Sequence, residues 1–418
     1  MSGSPVAALL ARTLTRVLRA PVAGVAPALE LVVGGAAPQS SARTVAVGVA
    51  ELRLEVRDGP TTTLGGRAHR IVELWAACYG AAAALYRALE LELAVPLRLP
   101  IEIDLAALYG VAAAQLAAPV ELGSAMLVGA GAIGNAVLLG LSAFDARGEL
   151  AVCDPDAASD GNLNRCWWFD AADLGEPKAE RLVRRAQATL PGLHLVPHVQ
   201  TLHDAIVAAG GAPPRTLIVG VDSRRARRSL QTELPHTVFD ASTTGITEVV
   251  FHANRLPSDL ACLACVYHEA ADETAHEAHV AEALGVTVAD VRTNFVSAEA
   301  ARAIAATYPH LQPAELEGLA YDSLFKALCG AGELKTRAAE RVLAPFAFVS
   351  VLAGVVLALE IAVRTRGGGA VGAAGYNAWY LSPWGAPVAR RRERRAKRPD
   401  CEFCSNPILQ EVAKRQWG

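Results

Sequence analysis

The sequence predicts an α/β protein: a doubly wound, mostly parallel sheet preceded by a smaller α/β unit and completed by a cysteine-based structural metal centre. Three observations carry this expectation. From Gly123 onward, short apolar runs alternate with segments of helical period. The first of those runs ends in G-x-G-x-x-G, formed by Gly129, Gly131 and Gly134, immediately before a helix. Two C-x-x-C pairs, Cys262/Cys265 and Cys401/Cys404, lie far apart in the chain, as two halves of one tetrahedral thiolate site can.

Length and composition bound the alternatives. At 418 residues the chain exceeds one ordinary core and divides into an accessory unit, residues 1–120, and a main unit, 121–418. A hydrophobic content of 52%, a charged content of 19% and a net charge of −3 describe a globular protein with no bulk attraction for nucleic acid. The first residues place Arg12, Arg16 and Arg19 within their apolar part and lack a signal layout, so cytoplasm is expected. The uncharged run from Val342 to Leu359 approaches the length of a membrane span. It contains Pro345, Ser350 and Gly354 and is followed by Glu360, so a buried core helix is expected and no membrane is called for.

In the accessory unit, "TVAVGVAELRLEV" and "LRLPIEIDL" read as strands around the long apolar helix "IVELWAACYGAAAALYRALELEL". The end of that helix echoes "VVLALEIAVR" near residue 360, which would fit a degenerate half of the same fold. In the main unit, "AMLVGAG", "ELAVCD", "HLVPHV", "TLIVGVD", "HTVFDAS" and "TEVVFHA" read as strands, with helices such as "KAERLVRRAQATL" between them. Residues 266–340 read as a mainly helical insert, and "YNAWYLSP" as a late strand. The basic run "ARRRERRAKRP" reads as a solvated, mobile loop.

The chemistry begins at the glycine loop. Gly129 permits a tight turn, Gly131 lets phosphate approach the backbone, and Gly134 permits close packing of helix on strand. Free N–H groups at the helix start then face an anion. Asp154 ends the next strand, 20 residues past Gly134, where a carboxylate can accept from ribose hydroxyls. These features fit NAD as well as ATP. The stretch "GNLNRC" and the following helix start add Arg165 and Lys178, two cations suited to a triphosphate. Asp222 ends the third strand, a hard carboxylate suited to magnesium, though it is also placed to cap the helix after it. Asp156 reads as a loop residue.

In order, "GAGAIGN", "CDPD", "NLNR", "LGEPKAE" and "VGVDSRRARR", with both cysteine pairs, resemble the ThiF/MoeB superfamily over residues 121–418. Its members are adenylyltransferases that activate the C-terminal glycine of ubiquitin-like proteins and sulfur carriers. The resemblance implies that Asp154 holds the ATP ribose, that Asn162, Arg165 and Lys178 contact phosphates, and that Asp222 binds Mg²⁺. It also implies a homodimer, with an arginine lent by a partner's amino-terminal helix. Arg12, Arg16 and Arg19 are the available residues.

The resemblance places a structural Zn²⁺ at Cys262, Cys265, Cys401 and Cys404. In relatives that pass a ubiquitin-like protein onward, the acceptor cysteine lies between the two zinc pairs. Cys329, in "LFKALCGAGELK", is the only cysteine in that interval. Gly330 and Gly332 loosen its surroundings, while Lys326 and Lys335 favour its thiolate. Cys153 and Cys166 are its competitors.

The leading expectation is therefore an activating enzyme that adenylates a ubiquitin-like protein, takes it as a thioester on Cys329 and hands it to a conjugating enzyme. A bacterial conjugation system, including one in antiviral defence, would fit that reading. The alternative is a sulfur-carrier adenylyltransferase of thiamine or molybdopterin type, which stops at the adenylate. An NAD-dependent oxidoreductase would leave Arg165, Lys178 and the cysteine pairs unexplained.

Overall fold

Two sheets organise the protein. The computed structural model describes residues 5–15, 29–34, 36–40, 42–89, 96–268, 271–293, 296–317, 319, 321, 324–325, 328, 333–335, 341–343, 346–366 and 375–418. Cys329, Lys326, Gly330, Gly332, Arg16 and Arg19 lie outside them.

The accessory unit begins with α1 (Pro5–Thr15) and contains β1 (Leu29–Val33), β2 (Arg43–Ala50), β3 (Arg53–Asp58), α2 (Arg70–Ala88) and β4 (Ile101–Asp104). The apolar run from Thr44 to Val56 is two strands rather than one. Glu51 takes φ 52° at the reversal between them, and β2 and β3 pair antiparallel from Val45↔Asp58 to Ala50↔Arg53. The four strands follow the order β1-β2-β3-β4, with β1 parallel to β2 and the other pairings antiparallel.

The main unit carries β5 (Val120–Val128), α3 (Ala132–Leu141), β6 (Ala146–Cys153), α4 (Asp160–Leu163), α5 (Lys178–Ala186), β7 (Leu193–His198), β8 (Thr216–Val219) and α6 (Arg224–Leu230). Strands β9 (Thr237–Thr244) and β10 (Glu248–Arg255) and the short helix α7 (Leu263–Val266) follow. The insert then supplies α8 (Ala271–Leu284), α9 (Ala298–Thr307) and a ribbon of β11 (Glu333–Lys335) and β12 (Arg341–Leu343). The chain ends with α10 (Ala347–Arg366), β13 (Ala378–Leu381), β14 (Arg392–Glu393) and α11 (Pro407–Trp417).

The main sheet runs β14-β13-β10-β9-β8-β5-β6-β7. Strands β9, β8, β5, β6 and β7 are parallel, and β10, β13 and β14 continue the sheet antiparallel. This is the expected doubly wound fold. The chain leaves β5 to build β6 and β7 on one side, then returns to lay β8 on the other, which opens a crevice at the carboxyl ends of β5 and β8.

Helix α10 resolves the membrane question raised by the apolar run. It is the only described helix long and apolar enough to cross a membrane, and 94% of its apolar window is buried inside the protein. It lies against α3 at a close crossing of small residues. A Cβ on Gly354 would stand 2.4 Å from the Cβ of Ala136, and one on Gly140 2.5 Å from that of Ala358. Backbones this near give dense apolar packing that larger side chains would prevent. Helix α10 also packs on α2.

The basic run departs from expectation at two residues. Most of its residues are exposed, as a solvated segment would be, but Arg392–Glu393 within it form the edge strand β14 on β13. Arg392 lies over the rings of Trp379 at 4.1 Å, Tyr376 at 4.6 Å and Tyr109 at 5.0 Å, and donates to the carbonyl of Leu108 at 2.7 Å. Tyr109 and Leu108 belong to the accessory unit, so this arginine joins the two units. Guanidinium planes stack on aromatic faces where an ammonium would not.

Candidate nucleotide site and four-cysteine centre

The glycine loop is fixed by contacts that only glycine allows. Gly129 has φ 95°, and a Cβ there would meet Gly220 C and Val221 N at 2.9 Å. A Cβ on Gly134 would fall 1.9 Å from the carbonyl oxygen of Gly129. The loop from β5 therefore rests directly on the turn from β8 that carries Asp222. Gly131 has nothing within 4 Å of its Cβ position, and as the N-cap of α3 it supplies no side-chain cap. Open space beside uncapped N–H groups is suited to an anion.

Asp154 stands at the end of β6 and is 6% exposed. Its Oδ2 accepts from Ala130 N at 2.7 Å and its Oδ1 from Asp156 N at 2.9 Å. It thus holds the glycine loop while keeping lone pairs for another donor. Burial pushes its carboxyl up to about 6, and Asp156 adds to that rise while Lys178 opposes it.

Lys178 begins α5, and its Nζ lies 2.7 Å from Asp156 Oδ2. Asp156, expected to be a plain loop residue, is therefore the partner of a site lysine. Its other oxygen, Oδ1, is buried with no protein partner. Burial pulls the Lys178 ammonium down, but Asp154 and Asp156 together hold it above its ordinary value. The sequence signal for Asp156 was its place two residues after Asp154. Its role became visible only when the chain brought Lys178 back beside it.

Asn162 and Arg165 sit on the loop opened by α4. The amide oxygen of Asn162 accepts from Ser159 N at 2.9 Å, closing a capping box. Arg165 turns its Nη1 back to the carbonyl of Gly161. The end of this loop is tied to the glycine loop through Asn135, which is fully buried. Asn135 Nδ2 donates to the Ala130 carbonyl at 2.7 Å, and its Oδ1 accepts from Trp168 N at 2.9 Å. Arg12 of α1 reaches the same loop: its guanidinium lies 4.5 Å from the Trp167 ring and donates to the Trp167 carbonyl at 2.6 Å. An arginine of the amino-terminal helix thus stands two residues from Arg165 within a single chain.

Asp222 follows β8 and is exposed. The capping alternative falls to its neighbour, since Ser223 is the N-cap of α6 and accepts from Ala226 N. The glycine loop, Asp154 and Lys178 are thus brought to the switch point with Asp222.

The four thiols of Cys262, Cys265, Cys401 and Cys404 lie within 4.8 Å of one another. Neighbouring sulfurs are 3.5 to 3.8 Å apart. These separations are far beyond a disulfide of about 2 Å. They match the edge of a tetrahedron with a zinc–sulfur distance of about 2.3 Å. All four positions of such a centre would be filled by protein, which leaves a zinc there no open position for catalysis. Elsewhere, Cys153 and Cys166 are buried, and burial pushes the Cys153 thiol up to about 12, which disfavours it as a nucleophile.

A doubly wound sheet with an anion-accepting crevice at its switch point, joined to a four-cysteine centre, defines the E1-like adenylyltransferase class. The chain belongs to the ThiF family, which it matches over residues 115–341, more than half its length. Residues 4–112 match the E1 N-terminal domain. Among curated proteins, it is 28% identical to the uncharacterized protein y4jF of Sinorhizobium fredii over 60% of this chain and 50% of that one. It is 32% identical to the NEDD8-activating enzyme E1 catalytic subunit of Arabidopsis thaliana over 25% of this chain and 22% of that one. It is 33% identical to the human ubiquitin-like modifier-activating enzyme 7 over 29% and 13%. These matches span half or less of each relative. Among solved structures, E. coli MccB with succinimide aligns at a TM-score of 0.44 and 15% identity, covering 71% of this chain and 70% of MccB.

Proposed function

We propose that the protein adenylates the C-terminal glycine of a ubiquitin-like protein, using ATP and Mg²⁺ in the crevice between β5 and β8. The convergence of the glycine loop, Asp154, the Lys178–Asp156 pair and Asp222 at that crevice carries the reading. Asp154 accepts from the ribose, and the N–H groups at the start of α3 face the phosphates. Asn162, Arg165 and Lys178 neutralise the triphosphate, and Asp222 holds Mg²⁺. A carboxylate oxygen of the glycine attacks the α-phosphorus. The bond from that phosphorus to the oxygen bridging toward the β-phosphorus breaks, and pyrophosphate leaves. Fixed cations aimed at the leaving group stabilise the charge that develops there.

In the second step the Cys329 thiolate attacks the acyl carbon, AMP leaves, and the thioester is available to a conjugating enzyme. Cys329 lies outside the described residues, so this step rests on its place in the sequence between the two cysteine pairs. The zinc centre is structural. The proposed assembly is a homodimer in the cytoplasm, and Arg12, the one of the three amino-terminal arginines among the described residues, reaches the loop that carries Arg165.

The test is ATP–pyrophosphate exchange by the purified protein with a glycine-ended ubiquitin-like partner. Exchange that depends on the partner supports the reading, and exchange that proceeds without any partner overturns it. Partner-dependent exchange with no thioester on the enzyme points instead to the sulfur-carrier type.

A further inference from the structure

The four-cysteine centre and the crevice are joined by a buried polar chain. Register pairs Asp240 of β9 with Val219, the last residue of β8, which sets the Asp240 carboxylate beside the turn leading to Asp222. Asp240 is fully buried, and Arg227 is 2% exposed. One nitrogen of the Arg227 guanidinium pairs with Asp240 Oδ1, and another donates to the carbonyl of Val221, the residue before Asp222. The other oxygen of Asp240 accepts from the Tyr267 hydroxyl at 2.5 Å.

Tyr267 stands two residues past Cys265, and three further ties hold this knuckle to the sheet and to α6. Arg228 donates to the Tyr267 carbonyl at 2.8 Å, and Gln231 accepts from Leu263 N at 3.0 Å. His252, facing Asp240 across β9 and β10, bonds the carbonyl of Ala261 beside Cys262 at 2.8 Å.

A buried ion pair is weak as a source of stability, because desolvation offsets its attraction. What such a pair supplies is orientation. The planar fork of Arg227 is matched to two acceptors at once, one of them the backbone next to Asp222.

We propose that Tyr267, Asp240 and Arg227 are positioning residues that transmit the order of the four-cysteine centre to Asp222, so that cation binding at the crevice depends on this chain. The proposal rests on Asp222 as the magnesium-holding carboxylate. The Tyr267 hydroxyl fixes the rotamer of Asp240, Asp240 fixes the guanidinium, and the guanidinium fixes the Val221 carbonyl and with it the direction of Asp222.

The experiment measures binding of a non-hydrolysable ATP analogue to the full chain by calorimetry across a magnesium titration, with zinc content assayed on the same samples. Tyr267→Phe should keep its zinc and its affinity for the metal-free analogue. The magnesium concentration for half-maximal enhancement should rise about tenfold, as for the loss of other groups that orient a metal ligand. Arg227→Lys, which keeps the charge but loses the fork, should show the same shift and serves as the second variant if Tyr267→Phe does not fold. Unchanged magnesium dependence in a zinc-replete variant overturns the relay. Unchanged dependence in Asp222→Asn overturns the proposal through its premise, and the two failures are told apart by which variant shows them.

Discussion

Lys178 and Asp156 form a shielded ion pair at the mouth of the crevice, with Nζ 2.7 Å from Oδ2 and side-chain exposures of 10% and 14%. The pair holds the ammonium in place before any substrate arrives. It leaves Asp156 Oδ1 buried without a protein partner, an acceptor with capacity to spare. Two consequences can be measured. Lys178→Ala should lower exchange by about 100-fold or more, as for other groups aimed at developing charge. Asp156→Ala leaves the buried ammonium with one carboxylate fewer and should destabilise the fold by about 3 kcal/mol or more, read from urea unfolding.

Asp154 predicts a pH dependence. Its carboxyl is raised by burial to about 6, from an ordinary value of 3.8. Between those values the folded protein binds a proton that the unfolded chain has released, so this group's contribution to stability falls as pH rises through the window. Binding runs the other way, because the charged carboxylate accepts from ribose hydroxyls more strongly than the neutral acid. Affinity for the ATP analogue should therefore increase on going from acid to neutral pH with a midpoint of about 6, and Asp154→Asn should remove that dependence. A flat wild-type profile through that range would contradict the assigned role.

The crossing of α3 and α10 predicts a steric limit. At Gly354 a Cβ would stand 2.4 Å from Ala136 Cβ and 2.6 Å from Val137 N, and the latter cannot move without shifting the helix. Gly354→Val should cost about 1–3 kcal/mol or more in unfolding free energy. The same substitution at Gly66, where nothing lies within 4 Å, should cost far less.

How far the sequence revealed all this depended on whether partners were close along the chain. The glycine loop, Asp154, Lys178, Asp222 and the cysteine pairs sit in short motifs whose spacing has local meaning, and the two cysteine pairs meet in space as their spacing allows. Asp156 was passed over because its partner arrives only with α5. Asn135 was seen as part of a motif, but not as the link between the glycine loop and Trp168. Asp240, Arg227 and Tyr267 come from a strand, a helix and a cysteine knuckle, and no periodicity announces such a chain. Within the exposed basic run Arg392 stands apart for a related reason: it finds its aromatic partners in β13 and in the accessory unit, far from its own charged neighbours.

The four-cysteine centre predicts about one zinc per chain by atomic absorption, lost in Cys401→Ser/Cys404→Ser. Both pairs must be intact, since each knuckle supplies only half of the tetrahedron. Loss of metal should reach beyond the centre. Cys262 and Cys265 anchor Tyr267 and Leu263, whose contacts run to α6 and β9, so the double variant should melt earlier and bind the ATP analogue more weakly even though no zinc ligand lies in the crevice. Cys329→Ala separates the remaining step. Its thiol is proposed to act only after the adenylate forms, so this variant should retain exchange and zinc while losing the reductant-sensitive adduct with the ubiquitin-like partner. If the adduct persists, the acceptor is another thiol, and Cys153, its own thiol raised to about 12 by burial, is poorly suited to be that one.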